Sequence, residues 1–145
     1  MKIKLFGAAG GEVTGSCYLV QTEKSAILID CGMFQGGRDS EAKNLLPEGA
    51  RPDQVQAVLL THGHLDHTGR VPLLIKHGFK GQIFSTIQTL QLAEIILQDS
   101  ARLQEADAER QNRKHWEPGE PLAEPLYSPE HVEFMKELNQ EVPFG

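Results

Sequence analysis

Alternating apolar and polar residues predict β-strands in the first part of the chain. Residues 2–6 alternate with a period of two, which is typical of a strand with one buried face. Residues 16–21 and 26–30 are rich in apolar and β-branched side chains, and the polar residues between them predict a turn. We therefore expect these two strands to form a β-hairpin. The glycine-rich residues 8–15 predict an irregular loop, which either connects two strands or lines a site.

Predicted strands and predicted helices alternate along the middle of the chain. Residues 54–60 and 81–85 predict strands, whereas residues 40–46 and 70–76 predict short helices. The longest helix is expected from about residue 86 to residue 112. Its predicted apolar face consists of Leu90, Ala93, Ile96 or Leu97, Ala101 and Leu103, widened by Leu92 and Ile95. This alternation of strands and helices indicates an α/β layered fold.

The last part of the chain is rich in proline. Three prolines fall between residues 115 and 125, and we interpret residues 113–127 as a linker-like segment. Ser128 and Pro129 are suited to the N-cap and the first turn of a final helix. The whole of residues 1–145 is expected to form one partial domain with this segment inside it.

Composition agrees with a soluble globular protein. The chain has 145 residues, of which 39% are hydrophobic and 23% charged, and this length suits one modest domain. No apolar run approaches the roughly 18 residues that a membrane span requires, so we expect a cytoplasmic protein without a membrane partner. Cys17 and Cys31 are expected to be free thiols.

The net charge bears on possible partners. At −6 it argues against nucleic-acid binding by bulk electrostatics, because phosphate binding normally requires clustered Lys and Arg. Any role on nucleic acid must therefore come from a local site.

Candidate metal chemistry is concentrated in residues 61–69. His62, His64, Asp66 and His67 lie within six residues, directly after an apolar strand. Imidazole nitrogen and carboxylate oxygen are ligands that zinc takes readily, and packing gives no reason to crowd these residues. The spacing favours two neighbouring metal ions. Asp30 ends another buried strand, where an unpaired carboxylate would be costly, and it either caps a turn or orients a metal ligand.

The H-x-H-x-D-H spacing of residues 62–67 resembles the signature of the metallo-β-lactamase superfamily. Further motifs are similar to the β-CASP branch of that superfamily, which contains RNA-processing nucleases. They are residues 7–17, 29–32, 62–72 and 97–101, of which the Gly-Glu-Val-Thr-Gly-Ser stretch at 11–16 is the most specific for the branch.

The resemblance implies a zinc-dependent hydrolase that cleaves RNA phosphodiesters with a hydroxide bridging two zinc ions. His62 and His64 would bind one ion, and Asp66 and His67 the other. Asp30 would orient the ligands, so that Asp30 and Asp66 are the predicted catalytic residues. RNA would be the substrate of the complete protein.

The sequence also departs from the family pattern. The family supplies a later aspartate, later histidines and the β-CASP insertion, none of which is matched here. His131 is a late histidine, but it lies at the start of a predicted helix and is a weak candidate. We therefore expect the N-terminal half of a metallo-β-lactamase αββα sandwich, inactive and self-associating when isolated. The metal motif alone would also allow a thioester or lactone hydrolase, or a non-catalytic metal-binding module.

Overall fold

A computed structural model describes residues 1–36, 39–115 and 117–143. Its strands form a six-stranded sheet in which the spatial order follows the chain order. The first three strands are antiparallel, and the remaining three continue parallel to the third. They are β1 (Lys2–Phe6), β2 (Cys17–Gln21), β3 (Ala26–Cys31), β4 (Val55–Leu59), β5 (Gln82–Ser85) and β6 (Asn139–Glu141).

The predicted hairpin and the predicted strands are confirmed, and β6 was not foreseen. Its residues are all polar, so they carry no hydrophobic pattern that would indicate a strand. The strand forms because its backbone pairs in parallel with β5, placing Asn139 beside Ile83. Tertiary pairing, rather than local preference, determines this element.

The described helices have lengths from four to 29 residues. They are α1 (Ser40–Lys43), α2 (Leu65–Thr68), α3 (Val71–Lys76), α4 (Ile87–His115) and α5 (Pro129–Leu138), with 3-10 turns at Gly7–Gly10 and Pro52–Gln54. The helix predicted over residues 40–46 is shorter than expected, since the side chain of Asn44 bonds the backbone of Phe34 instead of continuing the helix. Among the described residues, no helix is both long enough and apolar enough to cross a membrane.

The core lies on one face of the sheet. Leu19, Leu28, Val58 and Ile83 are neighbours in register across four strands, and all are buried. Helices α3, α4 and α5 cover this row with further buried side chains, which include Val71, Leu74, Ala93, Leu97, Val132 and Met135. This arrangement gives one α layer on one β layer, as expected for half of a four-layer αββα sandwich.

The apolar face of α4 is narrower than predicted. Leu90, Ala93, Leu97 and Ala101 are buried as expected, whereas Leu92, Ile95 and Leu103 are exposed. A straight helix presents only one stripe to a flat sheet, and these three positions lie outside it. The placement of Leu103 on the buried face and the widening of that face by Leu92 and Ile95 were therefore wrong.

The opposite face of the sheet is also apolar and is largely uncovered. Leu5, Tyr18, Ile29, Leu59 and Phe84 are cross-strand neighbours in one row of this face. The chain exposes 8758 Å² of surface, whereas a compact monomer of this size exposes roughly 7,400 Å². The excess is larger than the roughly 800 Å² that one partner contributes to a standard interface.

The proline-rich segment is attached along α4. The amide of Asn112 bonds both the N–H and the C=O of Ala123, and Gln104 accepts a hydrogen bond from the N–H of Leu126. Helix α4 ends at His115, inside the range of residues 113–127, and Trp116 lies outside the described residues. Residues 117–127 contain neither helix nor strand, but side chains of α4 hold them in place.

His131 has a local structural role in α5. The backbone N–H of Ser128 donates to Nδ1 of His131 at 3.1 Å, and the hydroxyl of Ser128 lies 2.8 Å from the same nitrogen. This is a capping box, in which the third helical residue bonds the N-cap backbone. Helix capping therefore explains the presence of His131 at this position more simply than metal binding does.

We predict that the isolated chain self-associates through the uncovered face of the sheet. Leu5, which is 53% exposed in edge strand β1, is a suitable test position. Leu5→Lys should weaken association about tenfold or more, because a charge would be buried between apolar surfaces. Leu122→Lys is the matched control, since Leu122 is 61% exposed outside the sheet. Sedimentation at increasing concentration measures the effect, and a compact wild-type monomer throughout would contradict it.

A second prediction concerns the pH dependence of stability. Burial lowers the pKa of His131 below its ordinary value, and the Lys76 ammonium lowers it further. Because the folded state favours the neutral ring, its contribution is present above the unfolded pKa of about 6.5 and is lost as the pH falls.

The matched variant is His131→Gln, since glutamine accepts the same hydrogen bond without titrating. Below pH about 6.5 the wild type should lose more free energy of unfolding than the variant, because only the wild type takes up a proton at this position. Denaturant unfolding over this pH range measures the difference. Parallel curves for the two proteins would show that protonation of His131 does not affect the cap.

Candidate metal centre

The metal loop, residues 60–67, begins at the carboxyl end of β4. The N–H of Leu60 donates to the carbonyl of Phe84, and the Ser85 hydroxyl donates to the carbonyl of Leu60 at 2.7 Å. These bonds fix the start of the loop against the neighbouring strand β5. The carboxyl ends of parallel strands meet at one edge of a sheet, so the loop lies beside the end of β3, where Asp30 is found.

Three of the predicted ligands converge in this loop. Potential ligand atoms of His62, Asp66 and His67 all lie within 4.8 Å of one another, and the three residues are half-buried. Nε2 of His67 is 3.6 Å from Oδ2 of Asp66, and the rings of His62 and His67 have centroids 3.9 Å apart. The donor set consists of two imidazoles and a carboxylate, which fits a single divalent cation such as zinc.

The buried carboxylate of Asp30 forms hydrogen bonds with the residues of this cluster. Its carboxylate is 1% exposed, and Oδ1 accepts the backbone N–H of Thr61 at 2.8 Å. Oδ2 accepts the Thr61 hydroxyl at 2.7 Å and lies 2.8 Å from Nδ1 of His67. An ionised carboxylate only accepts hydrogen bonds, so this contact assigns the His67 proton to Nδ1. The lone pair of His67 is then on Nε2, the nitrogen nearer Asp66.

Thr61 extends the same network to His62. Its hydroxyl lies 3.1 Å from Nδ1 of His62 while donating to Asp30. Since that donation uses the hydroxyl proton, the oxygen accepts from Nδ1–H of His62 and leaves Nε2 as the ligand atom. Thr61 is a site residue that the sequence pattern did not predict. Its position at the head of the histidine motif was the available signal.

His64 is placed differently from the other three. It is exposed and occupies the N-cap of α2, where its carbonyl accepts the N–H groups of His67 and Thr68. Its ring lies 4.9 Å from the ring of His62, in an edge-to-face arrangement. The structure therefore brings His62 together with Asp66 and His67, and leaves His64 beside that cluster. The division of the four ligands into two pairs stays a prediction.

The surroundings of His62 favour its neutral imidazole form. Burial lowers the pKa of His62 below its ordinary value, and the neighbouring His67 and His64 rings lower it further. Metal ions bind the deprotonated nitrogen, so this environment suits a ligand.

Close backbone contacts hold the metal loop against the end of β3. The N–H of Ser16 donates to the carbonyl of Asp66 at 2.9 Å, and the N–H of Gly32 donates to the carbonyl of Ser16. A Cβ atom on Gly32 would lie only 1.6 Å from the Asp66 carbonyl oxygen. Only glycine allows the backbone after Asp30 to approach α2 this closely. The glycine loop thus supports the site through Ser16.

Arg70 is another supporting residue, and the sequence pattern predicted no role for it. It is 3% exposed, and its guanidinium donates to the carbonyls of Gly32 and Leu45. It also lies over the ring of Phe34, 4.9 Å from the ring centroid. Arg70 therefore ties the segment after β3 to the start of α3. No periodic pattern distinguishes such a buried arginine from a surface one.

The remaining candidates are not among the three residues of this cluster. His77 is the C-cap residue of α3. Cys17 and Cys31 are confirmed as free thiols, and both are buried as partners in the β2–β3 register.

Comparison with known proteins identifies the class to which this fold and site belong. Residues 10–141 match the metallo-beta-lactamase superfamily, and the chain belongs to that superfamily. A divalent metal site is accordingly a property of its fold.

Individual relatives can also be named. The chain is 42% identical over 133 residues to ribonuclease TTHA0252 of Thermus thermophilus, a match covering 92% of this chain and 26% of the relative. It is 43% identical over 95 residues to transcription termination factor FttA of Methanosarcina mazei, covering 63% of this chain and 15% of the relative. These matches confirm the resemblance drawn from the sequence motifs.

Among solved structures, the subclass B3 metallo-β-lactamase MEM-A1 aligns with the whole chain and with 47% of its own length. The sequence identity is 21% and the TM-score 0.48. The chain thus spans about a quarter of the first relative and less than half of this structure.

We predict that Asp30 is required for metal affinity rather than for folding. Asp30→Asn keeps the size of the side chain but replaces one acceptor oxygen with an amide N–H₂, which would face the donors of Thr61 or the Nδ1–H of His67. The His67 tautomer is then no longer fixed, and zinc affinity should fall about 10- to 100-fold.

Competition with a chromophoric chelator measures this affinity, and Asp53→Asn is the control on an exposed surface carboxylate. Far-ultraviolet circular dichroism establishes that both variants are folded. Unchanged zinc affinity in folded Asp30→Asn would contradict an orienting role for Asp30.

Proposed function

We propose that this chain is the metal-binding portion of a zinc-dependent RNA hydrolase of the β-CASP branch. The observation that carries the proposal is the convergence of His62, Asp66 and His67 above the buried carboxylate of Asp30. Similarity to a relative named as a ribonuclease supports RNA as the substrate class. Since the chain spans 26% of that relative, the activity belongs to a longer protein.

The metal ligands in this proposal are His62, His64, Asp66 and His67. His62, Asp66 and His67 form the compact cluster, and the exposed ring of His64 is available for a second ion beside His62. Bound zinc would polarise a water molecule and neutralise charge on the phosphate oxygens during hydrolysis. We propose that Asp66 is both a metal ligand and a catalytic residue.

The residues around the ligands prepare the site before any metal binds. Asp30 is a positioning residue, because it acts through His67 and through Thr61 rather than by touching substrate. Thr61 links the Asp30 carboxylate to His62, because its hydroxyl donates to Asp30 and accepts from Nδ1–H of His62. The two imidazoles are therefore held with defined tautomers, which reduces the reorganisation that metal binding requires.

The chain alone is expected to bind zinc weakly and to lack activity. Four ligands for two ions give about two protein ligands per ion, whereas catalytic zinc sites commonly have three. We propose that residues 1–145 form a partial metallo-β-lactamase domain in which residues 117–127 connect α4 to α5. A second sheet on the uncovered face would complete the sandwich.

We predict that zinc affinity falls when a ligand histidine is substituted and does not change when a histidine outside the site is substituted. His62→Ala and His64→Ala should each lower zinc affinity about tenfold or more, while the exposed His77→Ala should not. Titration under a competing chelator gives the affinities and the number of ions bound. Loss of affinity in His62→Ala alone would indicate one ion in the three-residue cluster, and unchanged binding in both would end the proposal.

The reaction is tested with a chimera. This chain replaces the matching segment of the Thermus thermophilus relative, with which it is 42% identical, and the 145-residue chain is assayed beside it. The chimera should cleave labelled single-stranded RNA in a zinc-dependent manner, and His64→Ala or Asp66→Ala should reduce the rate about a thousandfold or more. The short chain should be inactive.

A thioester and a lactone are assayed in parallel with the RNA. Turnover of either one without RNA cleavage would move the assignment to another hydrolase of the superfamily. Cleavage of RNA by the short chain would show that its ligands suffice and that the expected inactivity was wrong. Zinc binding without any turnover by the chimera would favour a non-catalytic metal-binding module.

A further inference from the structure

A groove runs beside the metal centre, between α4 and the segment that follows β3. Its volume is about 560 Å³, and its lining includes Leu65, the metal-loop residue before the predicted ligand Asp66. Apolar atoms contribute most of its exposed surface, and seven of its fourteen lining residues are apolar. They are Met33, Phe34, Leu65, Ile95, Ile96, Leu103 and Leu126.

The groove contains the exposed apolar surface of α4 that the core does not use. Ile95 is 69% exposed and Leu103 is 59% exposed, although a helix of this length could have carried polar residues there. Ile95 and Leu103 are separated by two helical turns, and Asp99 lies midway between them. This surface is separate from the uncovered face of the sheet, because it lies on the helical layer.

The charged residues that line the groove are all acidic. Glu41 on α1 and Asp99 on α4 lie on the two sides of the groove, and Asp107 lies further along α4. Asp107 forms an ion pair with Arg110 at 3.1 Å, whereas no ion pair of Glu41 or Asp99 is found in the part of the chain that the structure describes. The described lining residues include no Lys or Arg.

We propose that this groove is a docking site for a polypeptide segment that combines apolar side chains with Lys or Arg. Apolar side chains of the segment would cover Ile95 and Leu103, and its cations would pair with Glu41 and Asp99. The acidic rim disfavours RNA as the occupant, because carboxylates repel phosphate. A bound basic segment would also place positive charge beside the metal centre of a chain whose net charge is −6.

The test uses a fluorescent amphipathic peptide of leucine and lysine as the probe, with the 145-residue chain at low concentration. Fluorescence anisotropy at physiological ionic strength gives the affinity. A peptide with glutamate in place of lysine should bind about tenfold more weakly or worse, because its charges would face the acidic rim.

Two groove variants locate the binding site. Ile95→Asp should weaken peptide binding about tenfold or more, since it places a charge in the apolar floor. Ile3→Asp is the matched control, because Ile3 is the same residue type, is 54% exposed and lies on the sheet. It should leave the affinity within about twofold. Equal weakening by both variants would show binding to apolar surface in general.

The charge contribution is tested separately. Glu41→Gln combined with Asp99→Asn should weaken binding about tenfold, whereas Glu23→Gln combined with Glu109→Gln should change it less than about twofold. Both pairs remove two exposed charges, so their difference excludes an effect of net charge. Equal effects of the two pairs would overturn the proposal. Binding of labelled single-stranded RNA that Ile95→Asp abolishes would overturn it in favour of RNA as the occupant.

Discussion

The metal loop depends on the buried carboxylate of Asp30. It is 1% exposed at the end of β3, and it takes hydrogen bonds from the backbone and hydroxyl of Thr61 while contacting Nδ1 of His67. A buried carboxylate without such partners would cost several kcal/mol, so the partners and the carboxylate require one another. Asp30 also has a φ of +55°, a conformation that few residues other than glycine adopt. Strain of this kind persists where the surrounding structure fixes the residue, and here it directs the carboxylate toward the ligands.

The sequence predicted the ligands more readily than the network behind them. Four ligand-type residues at a short spacing have no explanation in packing, and alternation of apolar residues located β4, which carries them. Thr61 and Arg70 act through contacts with residues more than 20 positions away, and no local pattern encodes such contacts. Strand β6 was missed for the same reason, since its three polar residues are ordered by pairing with β5. The exposure of Leu92, Ile95 and Leu103 likewise depends on where the sheet ends, which the periodicity of α4 alone does not determine.

The described helices pack on only one face of the sheet that carries the metal centre. Helices α3, α4 and α5 cover one face of the sheet, while the row from Leu5 to Phe84 on the other face is largely uncovered. The ligands follow the carboxyl end of β4, beside the end of β3. A chain that builds half of this arrangement can orient His62, Asp66 and His67, and our proposal assigns the remaining ligands to a longer protein. The groove on the helical layer is a different surface, which a second sheet would not cover.

Asp30 and Thr61 act as one unit in holding the imidazoles of His62 and His67. The most direct test is a double-mutant cycle on zinc affinity with Asp30→Asn, Thr61→Val and the combination of both. If the network is a unit, the double variant should lose little more affinity than Asp30→Asn alone, with a coupling of about 1 kcal/mol or more. Additive losses in correctly folded variants would contradict the account, because they would mean that the two residues influence the metal ligands independently.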